Sequence, residues 1–275
     1  MGGLGNQIFQ IFATISYGIK SSNQFKFLDL ETLGGGSSTL RYTFWETFFV
    51  NLKPFLVTEF PSVQVIKENG FTYKPLSVIE MVNNDIMIYG YFQSYKYFEN
   101  YYATICKIIG LNGMKEELTK KLNLTNEYLE NSISIHFRIG DYKKIQEIHP
   151  LTTYDYYERS INYIKHINSD KKFNILYFCE DIDLNDVLIT INKLTQKFTN
   201  YNFIRCDNSL ADWEQMLLMS LCHHNIIANS SFSWWGAYFN SWTDKIVCYP
   251  SVWFGAVVNN DTTDLCPQNW IKILV

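Results

Sequence analysis

Between residues 131 and 250 the chain alternates short apolar runs with stretches of helical period, and the connections between them are short. Residues 131–138 show the two-residue period of a strand, with Ile133, Ile135 and Phe137 on one face and Ser134, His136 and Arg138 on the other, polar face. Residues 154–167 follow as a helix, and residues 173–179 as a buried strand ending at Glu180 and Asp181. Asp183 starts the next helix, in which Leu184, Val187, Leu188, Ile191 and Leu194 recur at helical spacing. Residues 203–206 form a further strand ending at Asp207, and Ser209 with Asp212 three residues on resembles a capping box ahead of the stripe Trp213, Met216, Leu217, Ser220, Leu221. Residues 225–228 are a strand, 232–239 a helix, and 245–249 a last strand closed by Pro250. Such alternation predicts an α/β fold with an open parallel sheet covered by helices. Ligands of these sheets bind outside the carboxyl ends of the strands. Here those ends carry His136, Arg138, Glu180, Asp181, Asp207 and residues 229–231.

The first half is less regular. Residues 5–19 read as a helix entered from a glycine turn, 25–30 and 86–92 as strands, 34–38 as a flexible loop and 98–122 as helices. Residues 41–73 are aromatic-rich and poorly patterned, and with the loop at 34–38 they are where binding specificity is expected. A length of 275 residues accommodates two domains at about 100 to 200 residues each, placed at 1–130 and 131–275. A net charge of −4 gives no basic footprint, so nucleic acid is not an expected partner. No run approaches the roughly 18 apolar residues of a transmembrane span, and no basic region precedes a hydrophobic signal core. Six scattered cysteines without a C-x-x-C pair read as buried, reduced thiols, which indicates a reducing, cytoplasmic setting.

Chemistry concentrates in a few tracts. At residues 225–236 an apolar stub runs into Asn229, Ser230 and Ser231 and then into a segment able to begin a helix, the arrangement that leaves backbone N–H groups pointing at an anion. Trp234 and Trp235 behind it read either as a sugar platform or as core. At residues 136–141 the alternation puts His136 and Arg138 on one side of a strand end. The arginine fork suits a diphosphate, and the competing reading pairs it with Asp141, swung back by Gly140, or with another rim carboxylate. Asp181 and Asp183 have D-x-D spacing, which fits either a divalent metal bridging phosphates or a capping Asp183 beside a hydrogen-bonding Asp181. Gly2, Gly3 and Gly5 allow close backbone approach and are followed by the amides of Asn6 and Gln7, but Ile8 stands where a dinucleotide turn wants its third glycine. Asp29, at a strand end, is placed where a ribose-binding acid would be. His149 lies in the loop after Arg138, within reach of the rim, whereas His223 and His224 read as cations at a helix end.

The stretches GGLGNQIFQ (2–10), GYFQSYKYF (90–98), HFRIGDY (136–142) and DWEQMLLMSLCHHNIIANSSFSWWGAYFN (212–240) resemble glycosyltransferase family 11, the alpha-1,2-fucosyltransferases, in content and order. The resemblance implies a GT-B-like fold of two facing Rossmann-like domains with parallel sheets, residues 1–130 on the acceptor side and 131–275 binding the GDP-sugar. It implies inverting transfer of L-fucose from GDP-beta-L-fucose to the 2-hydroxyl of a terminal galactose on a glycan, with no cofactor and no metal, in the cytoplasm or peripherally at a membrane where glycans are assembled. By the same resemblance Arg138 holds the diphosphate and assists its departure, and His136 and Asp212 line the nucleotide site. Ser230, Ser231 and Phe232, after Asn229, form the phosphate turn, and Gly5 with Asn6 approaches donor phosphate or fucose. The base is open among Asp29, His149 and Asp181. Three departures stand out: Met1 where a short strand usually precedes the glycine turn, Ile139 where a second arginine is common, and Cys179-Glu180-Asp181 where a serine and two aspartates are usual. The rival readings are a catalytically silent GDP-sugar or glycan-binding module, a metal-dependent glycosyltransferase with another donor, and a nicotinamide enzyme.

Overall fold

The computed structural model describes residues 2–34, 40–60, 62–78, 85–169 and 171–275. Met1 and all but the first residue of the loop expected at 34–38 lie outside them. The chain divides into two compact units, Met1–Met114 with Asn260–Pro267, and Lys115–Asn259 with Gln268–Val275. The division falls inside a helix at Met114 rather than at residue 130, so the helical segment ahead of the first long strand packs with the second unit.

The first unit is built on α1 (Leu4–Lys20), which enters from Gly3 and buries Ile8, Phe9, Phe12 and Ile15 along one stripe. Its strands are short: β1 (Phe27–Leu28), β2 (Thr32–Leu33), β3 (Arg41–Tyr42), β4 (Leu56–Val57), β5 (Val63–Lys67) and β6 (Asp85–Tyr89). They pair two by two, β1 with β4 and β5 with β6 in parallel and β2 with β3 antiparallel. Residues 98–122, expected as helices, open with 3₁₀ turns and continue as α2 (Tyr102–Ile109) and α3 (Leu111–Lys121), broken at left-handed Gly110. Aromatic rings fill the core, with Phe98 5.5 Å from Phe12 and Phe49 4.9 Å from Phe48.

In the second unit the expected alternation is realised. After α4 (Asn126–Glu130) come β7 (Ser132–His136), α5 (Tyr154–Ile167), β8 (Asn174–Phe178), α6 (Leu184–Lys197), β9 (Asn202–Arg205), α7 (Asp212–Leu221), β10 (His224–Ile226), α8 (Ser231–Tyr238), β11 (Val247–Pro250) and β12 (Ile271–Ile273). They make one six-stranded parallel sheet in the order β12-β11-β10-β7-β8-β9. The edge strand β12 is an addition to the sequence reading; three residues with one apolar pair give too short a pattern to separate from coil. The chain winds outward from β7 to β9 and then returns to β7's other side with β10. That reversal opens a crevice at the carboxyl ends of β7 and β10.

Both faces of β7 are buried, so its polar side is not a solvent side. Ile133, Ile135 and Phe137 pack with α5 and α6. Ser134 lies in a buried polar seam on the other face, where the Asn225 amide donates to Ser134 Oγ (2.7 Å) and Met219 O (2.8 Å) and accepts from the Asn240 amide (2.8 Å). Two buried tyrosines of α5 secure the strand ends: Tyr157 donates to His136 O at 3.0 Å and Tyr156 to Ile227 O at 2.5 Å. All six cysteines are free thiols and all but Cys106 are buried. No helix among the described residues is long and apolar enough to cross a membrane.

Candidate active site

At the crevice, β7 delivers His136 and Arg138, and β10 delivers the turn into α8. His136 Nδ1 lies 2.9 Å from Ser233 Oγ, and its ring is 5.5 Å from Phe232, so side chains of the two adjacent strand ends already touch. Burial, reinforced by the Arg138 charge, pushes the His136 pKa down to about 3. The imidazole is therefore neutral across the ordinary pH range.

Arg138 donates to Glu180 Oε1 at 2.6 Å through Nη1 and to Asp141 through Nη2, and lies over the Tyr142 ring at 4.9 Å from its centroid. Burial alone would lower its pKa, but Asp141, Tyr142 and Glu180 together raise it and keep the guanidinium charged. The rim pairing weighed from sequence is thus what the arginine makes. Asp141 and Glu180 are more than half exposed (56% and 59%), so an anion can take their place at the fork from the solvent side. Gly140 at φ +30° makes the expected turn, and its N–H donates to the buried carboxylate of Asp183 at 2.6 Å.

That bond corrects one expectation. Asp183 does stand at the N-cap of α6, but its side chain makes no capping bond, because the carboxylate is engaged by Gly140 and lies 3.4 Å from Lys143. Asp181, the other half of the D-x-D, accepts from Arg205 and from Asn208 at 2.6 Å. The two carboxylates have separate partners, and Asp181 is tied up as a base. Among the described residues no group of three or more His, Cys, Asp or Glu side chains is placed to hold a metal.

The turn into α8 is capped by Ser230, whose Oγ accepts from Phe232 N at 3.3 Å, and no acid stands in the helix's first turn. At the other end Lys245 donates to Ala237 O (3.0 Å) and Asn240 O (2.5 Å), and Lys115 donates to Phe239 O. Cations on the carboxyl end answer the negative pole of the helix, leaving the positive pole at Ser230 to Phe232 uncompensated. Burial, with the neighbouring Lys115 charge, lowers the Lys245 pKa to about 8. Trp234 and Trp235 are fully buried and serve as core, not as a sugar platform. Asn229 also departs from expectation. Its amide is buried and donates to Pro150 O (2.9 Å) and Trp253 O (3.1 Å), tying three rim loops together rather than facing a ligand.

Asp212 is the exposed first residue of α7, following β9 on the same rim. The cap there is Ala211, whose N–H is accepted by Glu214 at 3.0 Å; Ser209 instead sits in a turn where Asp207 accepts its N–H at 2.8 Å. His149 stacks on Tyr142 (4.6 Å, 13°), and burial lowers its pKa, with Asp141 opposing and Arg138 assisting. It does reach the rim. His224 does not end a helix as a cation: it begins β10, and burial lowers its pKa to about 3, while the buried His223 just beyond the helix meets Glu130 O at 2.8 Å through Nδ1 and Asp244 at 2.9 Å through Nε2. Tyr142 and Ser233 were not singled out from sequence, although Ser233 follows the capping Ser230 by one helical turn.

Gly5, Asn6 and Asp29 belong to the first unit. Gly5 is buried in the first turn of α1, Asn6 Oδ1 accepts from the Gln93 amide at 2.8 Å, and Asp29 is exposed just after β1.

The model of the family described as Glycosyl transferase family 11 matches residues 73–273, which take in the whole crevice. The chain belongs to glycosyl transferase family 11. An Escherichia coli relative named alpha-1,2-colitosyltransferase is 30% identical over 99% of this chain and 96% of its own length. A second, the E. coli O-antigen biosynthesis glycosyltransferase WbnK, is 30% identical over 70% of this chain, which spans 62% of that relative. Among solved structures, a family 9 glycosyl transferase from Veillonella parvula is similar over 58% of this chain and 39% of its own, at 11% identity and a TM-score of 0.37. The E. coli ADP-heptose LPS heptosyltransferase II is similar over 58% of this chain and 43% of its own, at 13% identity and 0.36. This family 11 glycosyltransferase is GT-B-like in having two α/β units that both contain parallel strand pairing.

Proposed function

We propose that this glycosyltransferase is a galactoside alpha-1,2-fucosyltransferase, moving L-fucose with inversion from GDP-beta-L-fucose to the 2-hydroxyl of a terminal galactose on a glycan. The observation that carries the reading is Arg138 at the end of β7 beside the acid-free, serine-capped N-terminus of α8 on the adjacent strand β10. As the bond between the anomeric carbon and the phosphate oxygen breaks, its electron pair leaves with the diphosphate. Fixed donors aimed at that charge stabilise the transition state. Arg138 and the N–H groups of Ser231 and Phe232 supply them, while neutral His136 and Asp212 line the nucleotide.

The relative named alpha-1,2-colitosyltransferase supports the linkage and favours a second donor reading. Colitose is L-fucose without its 3-hydroxyl, so the same crevice accommodates either sugar unless it hydrogen-bonds that hydroxyl. The separate engagements of Asp181 and Asp183 support a transfer that requires no metal. Of the base candidates, His149 is neutral and close to Arg138, whereas Asp181 is held by Arg205 and Asn208.

The test is GDP release and product linkage with GDP-fucose and GDP-colitose, galactose-terminated acceptors, and chelator. Transfer undiminished by chelator is expected. Arg138→Ala should lower the rate roughly 100- to 1,000-fold, with Arg138→Lys nearly as impaired because the planar fork is lost. Near wild-type transfer by Arg138→Ala would overturn the assignment.

A further inference from the structure

The crevice occupies the carboxyl end of the second unit's sheet, and a second hollow lies at the opposite end. At the amino ends of β8 and β9 a cavity of about 210 Å³ is walled by Lys165 from α5, Lys171 and Lys172 ahead of β8, Lys197 from α6, and Tyr201 ahead of β9. No acid and no arginine is among its described walls. The chain as a whole carries a net charge of −4, so four lysines around one hollow run against its composition. Strands of four and five residues separate this hollow from the crevice by roughly 15 Å.

Part of that charge has a structural explanation. Lys165 and Lys197 stand in the last turns of α5 and α6, where a cation answers the negative pole of the helix, and Lys197 also meets Glu158. Lys171 lies 3.3 Å from Glu130 and over the Phe173 ring at 5.7 Å from its centroid. Lys172 belongs to no helix, and neither it nor Lys165 has an ion-pair partner among the described residues; Asp170, two residues before Lys172, lies outside them. Tyr201 decides the matter. Its ring packs edge-on to Phe173 at 5.8 Å and parallel to Phe198 at 6.0 Å, the residue is only 7% exposed, and its hydroxyl is buried without a hydrogen-bond partner. Packing alone would be served by phenylalanine, and a buried hydroxyl left unsatisfied is destabilising.

We propose that this hollow is a second anion site, holding a phosphate group between the ammonium groups of Lys165, Lys171 and Lys172 and the hydroxyl of Tyr201. Lysines are point charges that suit a tetrahedral phosphate, whereas a planar carboxylate favours an arginine fork, and no arginine lines the hollow. The phosphate supplies the acceptor that Tyr201 lacks, reaching it as the long lysine stems change rotamer. The same group is carried by a soluble phosphate and by a phospholipid head group, and Ile167, 57% exposed at the end of α5, offers an apolar contact in the second case.

Calorimetric titration with inorganic phosphate, and co-sedimentation with phosphatidylcholine vesicles with and without phosphatidylglycerol, provide the test. Both are carried out in an Arg138→Ala background, so that the crevice arginine contributes nothing, with Tyr201→Phe and with Lys165→Gln/Lys172→Gln added in turn. Saturable binding is expected. Tyr201→Phe should weaken it roughly 10- to 100-fold, the scale of one hydrogen bond to a charged group, with the melting temperature of the free protein unchanged or raised. The double glutamine variant should lose roughly 10-fold or more, and that loss should shrink with added salt. Binding of free phosphate assigns a soluble ligand, and binding confined to the phosphatidylglycerol vesicles assigns a lipid head group. No binding to either, or binding that survives either set of substitutions at full affinity, would overturn the proposal.

Discussion

The interiors of the two units are stabilised by different means. Of the eighteen buried polar side chains among the described residues, three (Gln7, Ser16, Ser94) belong to the first unit and fifteen to the second. The first unit relies on packed rings, including Phe9, Phe12, Phe48, Phe49 and Phe98, all fully buried. The second runs a hydrogen-bonded seam of Ser134, Asn225 and Asn240 beneath its crevice. Aromatic packing is strong but tolerant of shape, whereas a buried polar network is costly unless each member finds its partner and so specifies one arrangement. The unit that carries the proposed charge-stabilising groups is the one built for a single arrangement.

Substitution should break this comparison most visibly. Phe98→Ala in the first unit is expected to lose about 3–5 kcal/mol, as large-to-small core changes do, while Phe98→Leu should recover most of it. Asn225→Ala should cost about 2–4 kcal/mol by removing the donor to Ser134 Oγ and Met219 O and one acceptor of the Asn240 amide, and here Asn225→Leu should recover nothing. Denaturant unfolding of the four variants is the measurement. Equal rescue by leucine at both sites would erase the distinction.

The same contrast explains how much the sequence disclosed. Strands β7 to β11 alternate with helices and end in polar residues, and all but the partly exposed edge strand β9 are largely buried, so their period, order and functional rim were legible. Four of the first unit's six described strands are only two residues long, too short to carry a period, and its pairings were not foreseen. At the site, the positions of Arg138, His136 and the Ser230 turn followed from alternation and from the strand-to-helix boundary. What did not follow were partners set by tertiary contact. Asn229 turned inward to Pro150 and Trp253, Asp183 turned to Gly140, and His224 was placed in the core. Each depends on a loop brought up from elsewhere in the chain, which no local pattern encodes.

A second expected effect comes from acid. His136 and His224 both lie in the second unit with folded pKa values of about 3, against about 6.5 for an unperturbed imidazole. A depressed folded pKa gives stability that is fully present above the unfolded value and is lost as pH falls below it, because only the unfolded state takes up the proton. Between pH 7.5 and 5.5 each histidine should therefore withdraw about 1.4 kcal/mol. Their imidazole resonances should show no titration above pH 5. An inflection near 6.5 for either would show that its ring is open to water and that the seam is looser than described.

The smallest effect discriminates best at the crevice itself. Ser230→Ala removes the side chain that accepts Phe232 N–H, and the loss of such a cap typically costs about 1 kcal/mol. If the turn were only a helix start, that would be its whole consequence, and Ser230→Gly, which is nearly as good a cap, would restore both stability and activity. As an anion seat it behaves differently. Ser230 Oγ accepts the Phe232 N–H, so a bound diphosphate would compete with it for that donor. Glycine should then restore stability without fully restoring donor affinity, because the hydroxyl that could itself donate to phosphate is gone. Titrating GDP against wild type, Ser230→Ala and Ser230→Gly separates the two: affinity that follows stability in all three proteins assigns the turn to the fold, and affinity that stays low in Ser230→Gly assigns it to the ligand.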